Sequence, residues 1–337
     1  MKAVGFHRPL PIDDAQALVD LDLPTPEIGP HDLLVRVEAI ALNPVDVKQR
    51  LRTTPPAGTA RVLGFDAAGT VEAVGPEVTR FKVGDDVFYA GALQRPGSNA
   101  ELQAVDERIV GLKPKSLSFA DAAALPLTSL TAWELLFDRL GLPYGDKRGG
   151  DALLIVGGAG GVGSILTQIA RRLTGLTVIA TASRPETVDW CRKMGAHHVI
   201  DHRTPLNEGL AAIGLPQVRY VAGLTATDRH LPAILESLAP QGAFALIDDP
   251  EKLDILPFKR KSLSVHWELM FTRSLYETSD MAEQNAILEE VSALVDAGVL
   301  RTTANAHFGT INAENLRRAH AAVEAGTSIG KIVLSGF

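Results

Sequence analysis

The sequence predicts an α/β chain that combines a mainly antiparallel, barrel-like β domain with a doubly wound parallel sheet. Three observations carry this prediction. Short segments with strand patterning and frequent glycines fill the chain up to about residue 125. From residue 152 onward, apolar strands alternate with helices, which is typical of a parallel sheet covered by helices. The first of these strands runs into a glycine-rich loop and then into an amphipathic helix.

The antiparallel strands are predicted from alternation between turns. Residues 33–40 alternate inward and outward side chains after the turn at Gly29-Pro30. Residues 69–75 form a segment bounded by glycines, and residues 81–88 turn at Gly84 before a third strand begins. These short strands favour a twisted, barrel-like domain.

The second half of the chain changes to longer apolar periods. The predicted parallel strands are residues 152–156, 177–182, 198–200, 220–223 and 243–247. The predicted helices are residues 119–137 with a start at Ser118, residues 282–297 closed by Gly298, and residues 313–324 closed by Gly326. A final strand is expected at residues 330–334.

Composition bounds the function classes. The 337 residues are 46% hydrophobic and 22% charged with a net charge of −7, which suits about two soluble domains. Charges are interspersed without a basic run, which argues against nucleic-acid and membrane partners. No apolar stretch approaches the ~20 residues of a membrane helix. Cys191 is the only cysteine, so an intramolecular disulfide is excluded and a cytoplasmic location is expected.

A glycine-rich loop predicts a dinucleotide site. Gly158, Gly160 and Gly163 give the spacing G-x-G-x-x-G, with Gly161 and Val162 between the last two. The loop follows an apolar strand and opens a helix, as the fingerprint requires. The expected inner face of that helix is Ile165, Leu166, Ile169, Ala170 and Leu173, with Gln168, Arg171 and Arg172 opposite. Glycines allow close approach of a pyrophosphate to the helix N-terminus; the alternative is a turn that binds nothing.

The second parallel strand favours NADPH over NADH. NAD sites usually carry an acidic residue at this strand's end, whereas here the strand is followed by Ser183-Arg184. Arg184 can pair with a 2′-phosphate, and His202 with Arg203 can complete that pocket. The alternative is that Ser183 only caps the helix beginning at Pro185 while Arg184 is solvated.

Several motifs occur in a fixed order along the chain. They are Asn43-Pro44-Val45-Asp46, residues 64–71, residues 81–87, residues 125–133 and the glycine-rich loop. Over essentially its full length the chain therefore resembles the medium-chain dehydrogenase/reductase superfamily, and within it the zinc-type alcohol dehydrogenase-like proteins close to the quinone oxidoreductases.

The resemblance implies a particular architecture. A GroES-like catalytic domain would comprise residues 1–125 and 272–337, with a Rossmann NADP-binding domain at residues 126–271 inserted between them. It also implies a site in the cleft between the domains, a small-molecule substrate, and a homodimer formed through edge strands of the Rossmann domain.

Some members of the superfamily bind a catalytic zinc ion, but this chain lacks the residues that would bind it. Zinc-dependent relatives place a Cys where Asn43 stands and a His where Phe65 stands, with an acidic residue beside it, here Asp66. A catalytic zinc needs three converging N, S or O ligands, and Phe65 cannot ligate. The adjacent His197 and His198 point to opposite faces of a strand and do not form a substitute. No metal site is expected.

Without a metal, the loop at residues 43–48 supplies the predicted catalytic groups. Asn43 can donate a hydrogen bond to a substrate oxygen, Asp46 can orient its neighbours, and Lys48 is the expected general acid or oxyanion partner. A lysine follows this motif at the same spacing in related plant enone reductases. Each of these residues also has a structural alternative. Asn43 would fix a turn before Pro44, Asp46 would cap a helix, and Lys48 would be a solvated surface lysine.

Three further residues are assigned to the cofactor by position in the family. Thr128 and Thr131 lie where relatives contact the nicotinamide half, with hydroxyls bonded within a helix as the alternative. Lys331, near the last strand, either reaches the cofactor or faces solvent.

The combined prediction is an NADPH-dependent oxidoreductase that delivers a hydride to quinones or α,β-unsaturated carbonyls without zinc. Two alternatives stay open. One is a zinc-type alcohol dehydrogenase acting on alcohols or aldehydes. The other is a non-catalytic NADPH-binding protein with a structural or sensory role.

Overall fold

The computed structural model describes all residues from Met1 to Phe337 and divides them into two compact units. We call Met1–Leu130 together with Phe271–Phe337 the split unit, and Thr131–Met270 the inserted unit. The sequence placed its domain boundaries after residues 125 and 271, and those boundaries stay a prediction.

The N-terminal part of the split unit is rich in short strands. Its strands are β1 (Lys2–Phe6), β2 (Val19–Asp22), β3 (Asp32–Ala41), β4 (Arg61–Val62), β5 (Asp66–Val74), β6 (Asp86–Tyr89), β7 (Leu102–Asp106) and β8 (Val110–Leu112). Its helices are α1 (Pro44–Arg52), the 3₁₀ turn Glu107–Ile109 and α2 (Phe119–Ala123). Helix α3 (Pro126–Trp133) starts in the split unit and ends in the inserted unit.

The inserted unit alternates strand and helix after a π-helical segment, Glu134–Arg139. Its strands are β9 (Ala152–Val156), β10 (Thr177–Thr181), β11 (His198–Ile200), β12 (Val218–Gly223), β13 (Leu238–Leu246) and β14 (Ser264–Trp267). Its helices are α4 (Gly161–Leu173), α5 (Pro185–Met194), α6 (Leu206–Ala212), α7 (Thr227–Ser237) and the 3₁₀ helix Leu256–Lys261.

The C-terminal segment completes the split unit. It contains α8 (Thr272–Leu275), α9 (Glu283–Asp296), β15 (Ala304–His307), α10 (Ala313–Glu324) and β16 (Lys331–Ser335).

Strand β3 organises the split unit, because it pairs with three other strands of a seven-stranded sheet. The order is β15-β16-β3-β5-β6-β8, and β7 pairs with β3 outside this path. Ala41 at the end of β3 lies opposite Val333 of β16 on one side and Asp66 of β5 on the other. This register brings residues 41 and 66 close to strand β16 and positions the polar cluster described below.

The inserted unit is one parallel sheet of six strands in the order β11-β10-β9-β12-β13-β14. In chain order within the unit this is 3-2-1-4-5-6, the doubly wound arrangement in which ligands bind beyond the carboxyl ends of the strands. Strand β9 is buried over its whole length, since helices cover both faces of such a sheet. The predicted fold class is confirmed.

Element boundaries show where sequence patterns are sufficient. Strands β9 and β11 and helix α10 have the predicted bounds. The single helix predicted over residues 119–137 is wrong: it is divided into α2, α3 and the π-helical segment. Pro126 cannot donate a backbone hydrogen bond, so α2 ends before it and α3 starts at it.

Candidate active site

The glycine-rich loop is held against the neighbouring strand by backbone bonds. The N–H of Gly157 donates to Thr181 Oγ1 at 3.0 Å, and the N–H of Gly158 donates to the Thr181 carbonyl at 3.2 Å. Gly157 has φ of +96°, a conformation that favours glycine. The loop therefore turns sharply at the end of β9 and leads into α4.

Two glycines of the predicted fingerprint are required by packing. A Cβ on Gly158 would stand 2.7 Å from the Ala180 Cβ and 3.1 Å from the Cys191 Sγ. A Cβ on Gly163 would stand 2.3 Å from the Gly157 carbonyl oxygen. These two positions allow helix α4 to lie close to the sheet.

The third glycine, Gly160, faces open space instead. It is the N-cap of α4, and a Cβ there would meet only the Gly157 carbonyl oxygen, at 3.7 Å. Gly160, Gly161 and Val162 remain partly exposed. The first N–H groups of a helix have no intrahelical partner, and they carry the positive end of the helix dipole. The loop thus fits a pyrophosphate group, which these N–H groups can bind.

Helix α4 corrects one detail of the sequence interpretation. Gln168 was expected on the outer face but is buried, with its Nε2 3.4 Å from Met194 Sδ and from the Ser164 carbonyl oxygen. Arg171 and Arg172 are exposed as expected. The inner face of α4 is broader than its apolar residues alone indicate because α5 packs on it.

Beyond β10, Arg184 rather than Ser183 is the N-cap of α5. The N–H of Arg184 donates to Thr187 Oγ1 at 3.1 Å, and that hydroxyl donates back to the Arg184 carbonyl at 2.7 Å. The alternative that Ser183 caps this helix is therefore wrong. The Arg184 guanidinium is 42% exposed and lies 3.3 Å from the Glu186 carboxylate. It is accessible to a phosphate, in competition with that carboxylate.

His202 follows β11, the strand next to β10, so it stands at the same carboxyl edge of the sheet as Arg184. It is half-buried, with its ring 6.3 Å from the ring of His230. Burial lowers the pKa of His202 from its ordinary value; Asp201 opposes the shift, while Arg229 and Arg203 favour it. Arg203 itself is paired with Asp201 at 2.6 Å.

The two predicted threonine contacts lie on α3 and are buried. Thr128 Oγ1 donates to the Leu125 carbonyl at 3.2 Å, which is the helix-internal bond considered as its alternative. Thr131 is 5% exposed. Their contact with a nicotinamide stays a prediction.

A buried polar cluster occupies the end of β3 in the split unit. Lys331, the first residue of β16, is 3% exposed, and its ammonium donates to three oxygens. These are the Leu42 carbonyl at 2.6 Å, Asn43 Oδ1 at 2.5 Å and Asp66 Oδ2 at 2.9 Å. All three hydrogens of the ammonium are used within this cluster. The sequence interpretation placed Lys331 at the cofactor and did not foresee this arrangement.

Asp66 connects the cluster to a helix start. Its Oδ2 also accepts from Asn43 Nδ2 at 2.8 Å, and its Oδ1 accepts from the backbone N–H of Leu127 at 2.7 Å. Leu127 is in the first turn of α3, where a carboxylate satisfies a free N–H and complements the dipole. Asn43, expected to bind a substrate oxygen, has its amide directed at Asp66, the Ala41 carbonyl and Lys331.

Asp46 lies in the first turn of α1 and is fully buried. Its Oδ2 accepts from the backbone N–H of Asn43, the N-cap residue, at 2.8 Å. Burial raises the pKa of Asp46 to about 7, and the charge of Asp66 adds to this, while the Asn43 N–H and Lys331 oppose it. Asp46 thus orients the Asn43 backbone.

Lys48 lies two residues further along α1 and is half-buried. Since a helix turns about 100° per residue, Lys48 and Asp46 point to different sides of α1. The structure brings together Asn43, Asp46, Asp66 and Lys331, and it places Lys48 outside that group.

The donor set does not fit zinc. At the two positions where the resemblance implies zinc ligands, Phe65 is a buried ring packed edge-on against Phe271 at 5.1 Å, and Asn43 is bonded to Lys331. No group of three or more His, Cys, Asp or Glu side chains is arranged to hold a metal ion. An ammonium group already lies among the oxygens that remain.

A doubly wound parallel sheet with a dinucleotide-type loop, together with a mainly antiparallel unit, defines a dehydrogenase/reductase class of oxidoreductase. The comparisons agree. Residues 29–127 match the alcohol dehydrogenase GroES-like domain, and residues 194–334 match the zinc-binding dehydrogenase family. A zinc-type alcohol dehydrogenase-like protein of Staphylococcus aureus is 41% identical over 339 residues, covering 99% of this chain and 100% of the relative. The chain belongs to the medium-chain dehydrogenase/reductase superfamily, among the zinc-type alcohol dehydrogenase-like proteins.

Solved structures extend this result. A crystal structure from Rhizobium etli CFN 42, assigned provisionally to the zinc-dependent alcohol dehydrogenases, is 57% identical with a TM-score of 0.96, covering 100% of this chain and 98% of that one. A quinone oxidoreductase from Coxiella burnetii is 28% identical with a TM-score of 0.81, covering 100% and 99%.

Two plant reductases match part of the chain. They are a 2-methylene-furan-3-one reductase of Solanum lycopersicum and a chloroplastic NADPH-dependent alkenal/one oxidoreductase of Arabidopsis thaliana. Each is 40% identical over 194 residues, which is 55% of this chain and 48% of the relative. None of the helices of the present structure has the length and apolar character needed to span a bilayer.

Proposed function

We propose that this protein is an NADPH-dependent reductase of α,β-unsaturated carbonyl compounds or quinones that works without a metal ion. The observation that carries the proposal is the closed Asn43–Asp66–Lys331 cluster, which includes a position where the resemblance implies a zinc ligand in zinc-dependent relatives. An unactivated alcohol is hard to deprotonate without a Lewis acid. A conjugated carbonyl accepts negative charge by delocalisation, so it needs only positioning and a proton source.

The inserted unit would hold the cofactor. The N–H groups of Gly161, Val162 and Gly163 would bind the pyrophosphate, and Arg184 with His202 would bind the 2′-phosphate. When bound, NADPH supplies the hydride. The preference for NADPH over NADH rests on the cationic Arg184 at the end of β10.

Lys48 is the proposed proton source. Its Nζ would hydrogen-bond to the substrate oxygen, stabilise the charge that develops there, and donate the proton needed to complete reduction. The short α1 helix on which Lys48 stands is fixed at its start by the Asn43–Asp46 bond, so its position is set by the buried cluster.

Activity is tested by following NADPH absorbance with chelator-treated protein. The panel contains quinones, α,β-unsaturated ketones, saturated aldehydes and simple alcohols, with NADH in parallel. Oxidation of NADPH by enones or quinones after chelation is expected. Activity restricted to alcohols and restored only by zinc would contradict the proposal. NADPH binding without turnover on any compound would favour a non-catalytic role.

Lys48→Met tests the proton source. General acid catalysis contributes about 100-fold or more, so turnover should fall by that order while NADPH affinity stays within about twofold. The matched control is Lys82→Met, because Lys82 is a lysine of the same unit whose side chain is 84% exposed. Equal activity of Lys48→Met and the control would remove Lys48 from the mechanism.

We further propose a cytoplasmic homodimer that pairs through β14, the edge strand of the parallel sheet. Trp267 on this strand is 54% exposed and Leu269 just beyond it is 50% exposed. An exposed apolar edge strand is a template for pairing with a second copy. Light scattering of Trp267→Glu should then report a monomer where the unmodified chain reports a dimer, and a dimer in both would place the interface elsewhere.

A further inference from the structure

Lys331 is a buried cation that the proposed reaction does not use. Its three hydrogens are directed at the Leu42 carbonyl, Asn43 Oδ1 and Asp66 Oδ2, at 2.5–2.9 Å. A lysine is almost never fully buried unless it is paired. An ammonium surrounded in this way is bound as a monovalent cation is bound, by a converging set of protein oxygens.

The oxygen donors belong to the residues that stand at and beside the metal-ligand positions of the zinc-binding family. The resemblance implies that Asn43 occupies one ligand position and that Asp66 is the acidic neighbour of the other, Phe65. We propose that the Lys331 ammonium takes the place of the family's metal ion, as a built-in cation that holds these residues in position. A divalent ion would have to enter against a positive charge already hydrogen-bonded to both Asn43 and Asp66.

The cation acts as a positioning group in this arrangement. It fixes Asn43 Oδ1, so that Asn43 Nδ2 faces Asp66, and it shares Asp66 with the first turn of α3. Through Asn43 it also fixes the start of α1, which carries Lys48. One ammonium thereby joins β16, α1, β5 and α3 of the split unit, a role that metal ions have in other proteins.

The inference goes beyond the proposed function because it does not depend on the substrate. The test compares two variants of the full chain. Lys331→Ala removes the cation and leaves space, whereas Lys331→Met removes the charge and fills the space. Both should lower the thermal unfolding midpoint by roughly 6 °C or more, since each leaves the Asp66 carboxylate buried without its partner.

Added methylammonium chloride is expected to restore part of that loss in Lys331→Ala, relative to the same concentration of sodium chloride. It should have no such effect on Lys331→Met or on the unmodified chain. Absence of rescue in Lys331→Ala would overturn the inference, as would a rise of the unmodified chain's midpoint on addition of zinc.

A charge-matched variant keeps the test decisive if the single variants do not fold. Lys331→Met combined with Asp66→Asn removes both charges and should be more stable than Lys331→Met alone. No gain over the single variant would contradict a charge-compensated site. Measuring NADPH affinity tests the other interpretation, in which Lys331 contacts the cofactor. An unchanged unfolding midpoint with about tenfold weaker NADPH binding in Lys331→Met would assign Lys331 to the cofactor instead.

Discussion

The glycine-rich loop and the Lys331 cluster are both groups of polar atoms beside a strand end, but one is open and the other is closed. At Gly160 an added side chain would meet open space, and the neighbouring helix N–H groups have no intrahelical partner. At Lys331 every hydrogen of the ammonium already has an acceptor within the protein. This difference indicates that the loop has free donors for a ligand, whereas the cation of the cluster is the side chain of Lys331.

Removing the anion of the closed site gives the largest expected effect. Asp66→Ala deprives Lys331, Asn43 and the Leu127 N–H of their shared acceptor and leaves a buried ammonium unpaired. Breaking such a buried pair costs about 3–5 kcal/mol of unfolding free energy. Urea denaturation measures it, with Asp86→Ala, an aspartate at the exposed start of β6, as control. Equal losses of unfolding free energy in the two variants would mean that Asp66 stabilises the fold no more than an exposed aspartate does.

The open site should respond in binding and not in folding. Gly160→Asp introduces a carboxylate at the N-cap of α4, where it competes with a pyrophosphate for the helix N–H groups. Affinity for NADPH is expected to fall on the order of 100-fold, about 2.7 kcal/mol, with the unfolding midpoint unchanged or raised. Isothermal titration calorimetry gives the affinity, and Gly160→Ala is the uncharged control. A large loss of stability would show that Gly160 is a packing glycine like Gly163.

A smaller change in affinity is expected at the site proposed for the 2′-phosphate. Arg184→Ala should weaken NADPH binding by about tenfold and leave NADH binding nearly unchanged, because only NADPH carries the 2′-phosphate. The control is Glu186→Gln, which removes the carboxylate 3.3 Å from Arg184 and should not weaken NADPH binding. Equal losses for NADPH and NADH in Arg184→Ala would move the 2′-phosphate site away from this strand end.

The last expected effect is a pH dependence at the closed site. The pKa of Asp46 is about 7 in the folded chain and 3.8 as its ordinary value, so folding favours the protonated form. Below pH 3.8 both states are protonated and Asp46 has no effect on the pH dependence of stability. As the pH rises from there through 7, ionisation in the unfolded chain disfavours folding.

Asp46→Asn removes this loss while keeping an acceptor for the Asn43 N–H. The unfolding midpoint of Asp46→Asn, relative to that of the unmodified chain, should be higher at pH 8 than at pH 5. Each kcal/mol of difference in unfolding free energy corresponds to roughly 2–4 °C. Thermal denaturation at the two pH values measures the difference. A gap that does not change with pH would show that Asp46 titrates normally.

The local parts of the fold could be predicted from the sequence. Period-two alternation located β3, and strand, glycines and amphipathic helix together located the β9–α4 loop. Ser183 was considered as an alternative N-cap of α5 because Arg184 is not a usual capping residue; the Thr187 side chain supplies the bond instead. Gln168 was misplaced because burial against α5 is a tertiary effect.

The closed site could not be predicted because it depends on contacts that are distant in sequence. Lys331 meets Asn43 and Asp66 across 288 and 265 residues. Only the pairing of β16 and β5 on either side of Ala41 brings them together. No periodicity near Lys331 indicates that register, so a buried lysine at this position reads from sequence as a surface or ligand contact.

That distance has a consequence for how the protein is made. Ribosomes add about 5–20 residues per second. Lys331 therefore follows Asp66, 265 residues earlier, by roughly 10–50 s. During that interval Asp66 of the nascent β5 lacks the lysine with which it pairs in the folded chain. The split unit therefore lacks the ion pair between Asp66 and Lys331 until β16 has been synthesised.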